Sequence, residues 1–131
     1  MSETTLTVST PTAPSTLVRL AIGGLFEKDD LEKLRAWSTD VKRVVVETYQ
    51  KTKHPINIII DITRLKGYRD PEALLVLADL MKKDRTFVAR TATFGGSFTM
   101  ELAQDVVKAF ALRDNLKNFK TETEALEWLA S

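Results

Sequence analysis

The stretch Ile56-Asn57-Ile58-Ile59-Ile60-Asp61-Ile62 constrains this chain more than any other. A strand with one wet face alternates apolar and polar residues, whereas Ile58, Ile59 and Ile60 place isoleucine on both faces in succession. Such a run suits an interior strand covered on both sides, as in the parallel sheets of α/β proteins. The flanks supply the covering helices. Upstream, Leu31, Leu34, Trp37, Val41, Val44, Val45 and Tyr49 recur at helical spacing and form one apolar stripe. Asp29 stands three residues before Glu32, a capping spacing that opens this helix. Pro55 closes it by disfavouring helical geometry at His54. Downstream, Asp70 before Pro71 predicts an N-cap and first turn. The helix it opens, over 71–84, is apolar around much of its circumference and is expected to be deeply packed.

The rest of the chain repeats the pattern. Leu17-Val18-Arg19-Leu20-Ala21-Ile22 reads as a strand ended by a Gly23-Gly24 turn. Residues 86–94 read as a third strand, and Gly95-Gly96-Ser97 as a tight turn into a helix over 99–113. The buried stripe of that helix is Leu102, Ala103, Val106, Val107 and Phe110. A short strand over 116–120 leads to Thr121-Glu122-Thr123-Glu124, a capping box for a last helix carrying Ala125, Leu126, Trp128 and Leu129. Residues 1–16 differ: eleven of them are Ser, Thr or Pro, and Glu3 is the only charge. They are expected to form a flexible tail or, through the Leu6-Thr7-Val8 alternation, a short edge strand. At 131 residues the chain fits one domain, assigned to 17–131. The expected fold class is α/β, a mixed sheet of four to five strands with about four helices.

Composition excludes several chemistries. With no cysteine there are no disulfides, thiolate zinc sites, iron–sulfur clusters or cysteine nucleophiles, and His54 is the only histidine. No metal and no cofactor are expected. Nineteen Lys+Arg against 18 Asp+Glu leave a charge of +1, which gives no global electrostatic reason to bind nucleic acid. No apolar run approaches the ~18 residues of a transmembrane segment. The N-terminus lacks the basic and apolar regions of a secretory signal. A cytoplasmic protein is therefore expected.

The strand ending in Asp61-Ile62-Thr63, the loop after it and the leucine-rich segment from Leu74 to Met81 resemble a STAS domain. That is the fold of anti-sigma-factor antagonists and of cytoplasmic tails of anion transporters. The closing stretch Phe119-Lys120-Thr121-Glu122-Thr123-Glu124-Ala125-Leu126-Glu127-Trp128-Leu129 resembles the C-terminus of the SpoIIAA-like branch. This branch is related in fold to CRAL-TRIO lipid-binding domains. The resemblance covers residues 17–130 and implies a non-enzymatic regulatory or binding module. Its partner would be another protein or a small anionic or apolar ligand such as a lipid. STAS antagonists carry a phosphorylatable Ser or Thr where the post-strand loop enters the helix. Here Asp70 and Pro71 occupy that position, so the usual switch is not expected. Thr63 is the only nearby hydroxyl in the loop.

Ligands of open α/β sheets bind beyond the carboxyl ends of the strands, where loops meet helix N-termini. Two loops qualify, 63–70 and 94–99. Thr63, Arg64, Tyr68, Arg69, Asp70, Gly95, Gly96 and Ser97 are the candidate ligand-binding residues. Arg64, Lys66 and Arg69 would supply charge, Tyr68 a stacking face, and the glycines close backbone approach. The plainer alternative makes Gly95-Gly96 a strand-to-helix turn capped by Ser97 or Thr99. Asp61, at a strand's end, resembles the phosphorylated aspartate of receiver domains. The acidic pair that should accompany it is missing, because Asp29 and Asp30 lie seven residues past Ile22. Asp61 is expected to bond loop amides or a nearby arginine instead. His54 precedes its strand and should lie at the opposite end of the sheet from Ser97, so no catalytic residue is assigned. A small enzyme with its active site between 63–70 and 94–99 is the competing reading. A homodimer formed through an exposed apolar strip is a third.

Overall fold

The computed structural model describes residues 4–12, 15–68, 72, 76, 86–95 and 115–131. Six strands and two helices are complete among them: β1 (Thr5–Ser9), β2 (Leu17–Phe26), α1 (Leu31–Thr52), β3 (Ile56–Asp61), β4 (Leu65–Tyr68), β5 (Val88–Phe94), β6 (Leu116–Phe119) and α2 (Glu122–Ala130). The sheet runs β1-β2-β3-β5-β6, with β4 beside the distal half of β2. β1 pairs antiparallel with β2, and every other pairing is parallel.

β3 takes the central place that its isoleucines demand. Ile58, Ile60 and Ile62 pack into the core shared with α1, whereas Ile59 faces the opposite side with Ala92, Ala125 and Leu129 of the α2 layer. The α1 stripe lands as its spacing requires, with Leu34, Val41, Val44 and Val45 buried. α1 also fastens the sheet's edge. The Trp37 indole N–H donates to the Thr7 carbonyl at 3.0 Å, and Lys33 Nζ donates to the Thr4 carbonyl at 2.7 Å. On the other face, Thr121 caps α2 by accepting from the Glu124 N–H at 3.2 Å. The Trp128 ring lies 5.6 Å from Phe119, and the Arg90 guanidinium sits 5.0 Å over it. That guanidinium also donates to the Trp128 carbonyl.

Several boundaries differ from the sequence expectation. Among the described residues the sheet has six strands rather than four or five, because Leu65–Tyr68, read as part of a loop, pairs in parallel with Gly24, Leu25 and Phe26. β2 does not stop at Gly23-Gly24 but runs through both glycines to Phe26. α1 begins at Leu31, after a 3-10 turn over Lys28–Asp30. Asp30 rather than Asp29 organises that turn, its Oδ2 accepting from the Glu27 N–H at 2.9 Å. α1 ends on Lys53, which takes a left-handed φ of 59° and donates its N–H to the Tyr49 carbonyl. The stop is thus a backbone cap ahead of Pro55. Of the two remaining expected helices, the one over 71–84 is described at Glu72 and Val76, both helical. The one over 99–113 lies outside the described residues.

Candidate functional site

β2, β3, β5 and β6 are parallel, so their C-terminal ends open on one rim of the sheet. Asp61, Phe94 and Phe119 stand in register along it. Beyond Asp61 the chain turns sharply. Its Oδ1 accepts from the Thr63 N–H at 2.9 Å, and the Leu65 N–H donates to the Ile62 carbonyl at 3.1 Å. This is the Asx-type bond by which an aspartate at a strand end sets a turn. The turned chain then runs along β2. The Arg64 carbonyl accepts from the Gly24 N–H at 3.0 Å. A Cβ on Gly23 would meet the Arg64 Cβ at 3.1 Å, so glycine permits the close approach.

The second loop meets the first at Gly95. The Ile62 N–H donates to the Phe94 carbonyl, and the Gly95 N–H donates to the Phe119 carbonyl at 3.2 Å. Gly95 has φ +86°, and a Cβ there would lie 3.1 Å from Thr63 Cα, 3.2 Å from Thr63 Cβ and closer still to Thr63 Oγ1. Thr63 and Gly95 are therefore in direct contact, each with its N–H engaged. Thr63 and Arg64 are exposed at this turn, Lys66 is exposed in β4 and Lys120 just after β6, while Asp61 is half-buried. The rim offers a hydroxyl and three cationic side chains on a braced backbone, which suits an anionic surface.

Of the residues predicted for the site, Thr63, Arg64 and Gly95 come together. Tyr68 belongs to β4, where its backbone pairs with Phe26. Arg69, Asp70, Gly96 and Ser97 lie outside the described residues. His54 is exposed just before β3, at the opposite end of the sheet. The partners that sequence reasoning missed are Gly23, Gly24 and the Phe119 carbonyl. The glycines left a signal: a pair inside an apolar run marks close backbone approach as readily as a turn.

A parallel sheet between two helical layers, with an antiparallel strand at one edge, defines the class as the STAS-type α/β fold. The chain belongs to the SpoIIAA-like family, whose model matches residues 17–130. Solved structures agree on the fold. An uncharacterised protein of the DUF3478 family with a SpoIIAA-like fold, from Shewanella loihica PV-4, is 22% identical with a TM-score of 0.63, covering 98% of this chain and 95% of its own. The unphosphorylated anti-sigma factor antagonist SpoIIAA is 15% identical with a TM-score of 0.63 over 96% of each chain. SLC26A9 is 12% identical with a TM-score of 0.61, and the match covers 88% of this chain but 20% of that one. No curated protein matches the chain. Among the described residues, no helix is long and apolar enough to cross a membrane.

Proposed function

We propose that this chain is a non-enzymatic regulatory module that engages a partner protein through the C-terminal rim of its sheet, recognising an acidic surface on that partner. The observation that carries the reading is the braced contact between Thr63 and Gly95. It fixes Thr63 against Gly95 where the chain leaves β3 and β5, and Arg64, Lys66 and Lys120 are exposed in the adjoining segments. Membership of the SpoIIAA-like family supports a regulatory role, as does the shared fold with an anti-sigma factor antagonist. Asp70-Pro71 stands where STAS antagonists carry their phosphoacceptor, so binding at the rim is read as independent of phosphorylation there. The same cations favour a second reading, a small anion such as phosphate or a lipid headgroup.

The test is capture from the host lysate with the wild type and with an Arg64→Glu, Lys66→Glu double variant as baits, compared by quantitative proteomics. A protein retained by the wild type and lost by the variant supports the proposal. Proteins bound equally by both baits contradict it. In parallel, NMR titrations use inorganic phosphate and vesicles of anionic phospholipid. Saturable shifts around Thr63, Arg64 and Gly95 without any charge-dependent protein partner would establish the small-ligand reading instead, phosphate and vesicles distinguishing its two sources.

A further inference from the structure

The two ends of the sheet are built differently. At one end, β6 carries the exposed cation Lys117, and α2 packs beside the strand. Charges of this kind keep an edge from pairing with foreign strands. At the other end, α1 packs beside β1 and its Lys33 and Trp37 bond the Thr4 and Thr7 carbonyls, but β1 itself carries no charge. No charged residue occurs between Glu3 and Arg19, no proline lies within Thr5–Ser9, and five consecutive pairs with β2 run without a bulge. An uncharged, regular edge strand is a template for another strand.

The side-chain pattern of β1 indicates which strand. Thr5, Thr7 and Ser9 are exposed on one face, whereas Leu6 and Val8 pack against the α1 core on the other. The sequence Thr5-Leu6-Thr7-Val8-Ser9 is therefore a chemical palindrome about Thr7. Laid antiparallel on a second copy across a two-fold axis at Thr7, it places Thr7 opposite Thr7, Thr5 opposite Ser9, and Leu6 opposite Val8. Every cross-strand pair is then hydroxyl on hydroxyl or aliphatic on aliphatic, the combinations that stabilise antiparallel neighbours. A charged or irregular strand would meet no such match.

We propose that β1 is a homodimerisation edge, joining two copies through antiparallel β1–β1 pairing centred on Thr7 into one continuous sheet. The pairing is isologous, so it closes at two copies. The C-terminal rim lies at the strand ends rather than at the side of the sheet, and Arg64, which flanks Gly23 together with Thr5, is its member beside this edge. The Trp37 indole already donates to the Thr7 carbonyl, and that oxygen retains a second lone pair for an N–H of the partner copy.

The test is sedimentation equilibrium over a concentration series, for the wild type, Thr7→Lys, Thr7→Glu and an equimolar mixture of the two variants. Thr7 is exposed, so either charge is tolerated by the folded monomer, yet at the two-fold axis it faces its own copy. The wild type is expected to dimerise and each variant to dissociate about tenfold more readily. Mixing lysine with glutamate variants is expected to restore a heterodimer. Hydrogen exchange on the wild type gives a check that needs no variant: protection of the Thr5, Thr7 and Ser9 amides should rise with protein concentration. A wild type that stays monomeric throughout, a dimer indifferent to both charges, or concentration-independent exchange in β1 would overturn the proposal.

Discussion

Replacing Gly95 with alanine tests the packing of the rim most sharply. The backbone there has φ +86°, a region that an L-residue enters at a cost of about 1–2 kcal/mol. The new methyl would also lie 3.1 Å from Thr63 Cα and overlap Thr63 Oγ1. Thr63 cannot simply withdraw. Its N–H is bonded to Asp61, and the next residue is tied to Gly24 through its carbonyl. Overpacking against a fixed neighbour costs about 1–3 kcal/mol, so the expected loss for Gly95→Ala is about 2–5 kcal/mol. Equilibrium urea denaturation monitored by tryptophan fluorescence and far-UV circular dichroism gives the value. Repeating it in a Thr63→Ala background separates the two causes. Removing Oγ1 relieves the overlap but not the backbone strain, so the cost of Gly95→Ala should fall by about 1–2 kcal/mol there. A loss under about 0.5 kcal/mol in the wild-type background, or an identical loss in both, would refute the contact as the element that braces the rim.

Other perturbations probe the layers separately. Ile59→Ala removes a buried side chain at the sheet's second face and should cost about 2–5 kcal/mol by denaturation, against about 0.5–1.5 for Ile59→Val. Thr91 is fully buried, with no partner for its hydroxyl among the described residues, so Thr91→Val should stabilise the protein by about 1 kcal/mol in the same assay. Arg19→Ala breaks a 2.6 Å ion pair with Glu122, but both side chains are about half exposed, and the melting curve should show a loss under about 1 kcal/mol. Trp37→Phe deletes the donor to the Thr7 carbonyl, and native-state hydrogen exchange should show β1 opening more readily while β3 is unchanged.

The legible parts of this fold were those set by local pattern. Isoleucines on both faces of β3 demand cover on both sides, and the stripe of α1 repeats often enough to fix which side faces the core. The capping box at Thr121 signals the start of α2 through spacing alone. What escaped was decided by neighbours distant in sequence. Gly23-Gly24 has the composition of a turn, yet it stays in β2 because the Arg64 segment passes too close for a side chain. β4 is four residues long with a glycine in it, and only the free edge of distal β2 makes it a strand. At the site, two loops after parallel strands had to share a rim, so the meeting of Thr63 with Gly95 follows from topology. The bond from the Gly95 N–H to the Phe119 carbonyl does not, since it depends on how β6 registers against β5.

The proposal that the rim is the binding surface is tested most directly by hydrogen–deuterium exchange on the complex with the protein captured from the host, compared with the module alone. Binding at the rim predicts slowed exchange in Thr63, Arg64, Leu65 and Lys66 and in the segment around Gly95, with the His54 end of the sheet unaffected. Protection confined to the His54 end or to the exposed face of α1, with the rim exchanging as in the free protein, would contradict it.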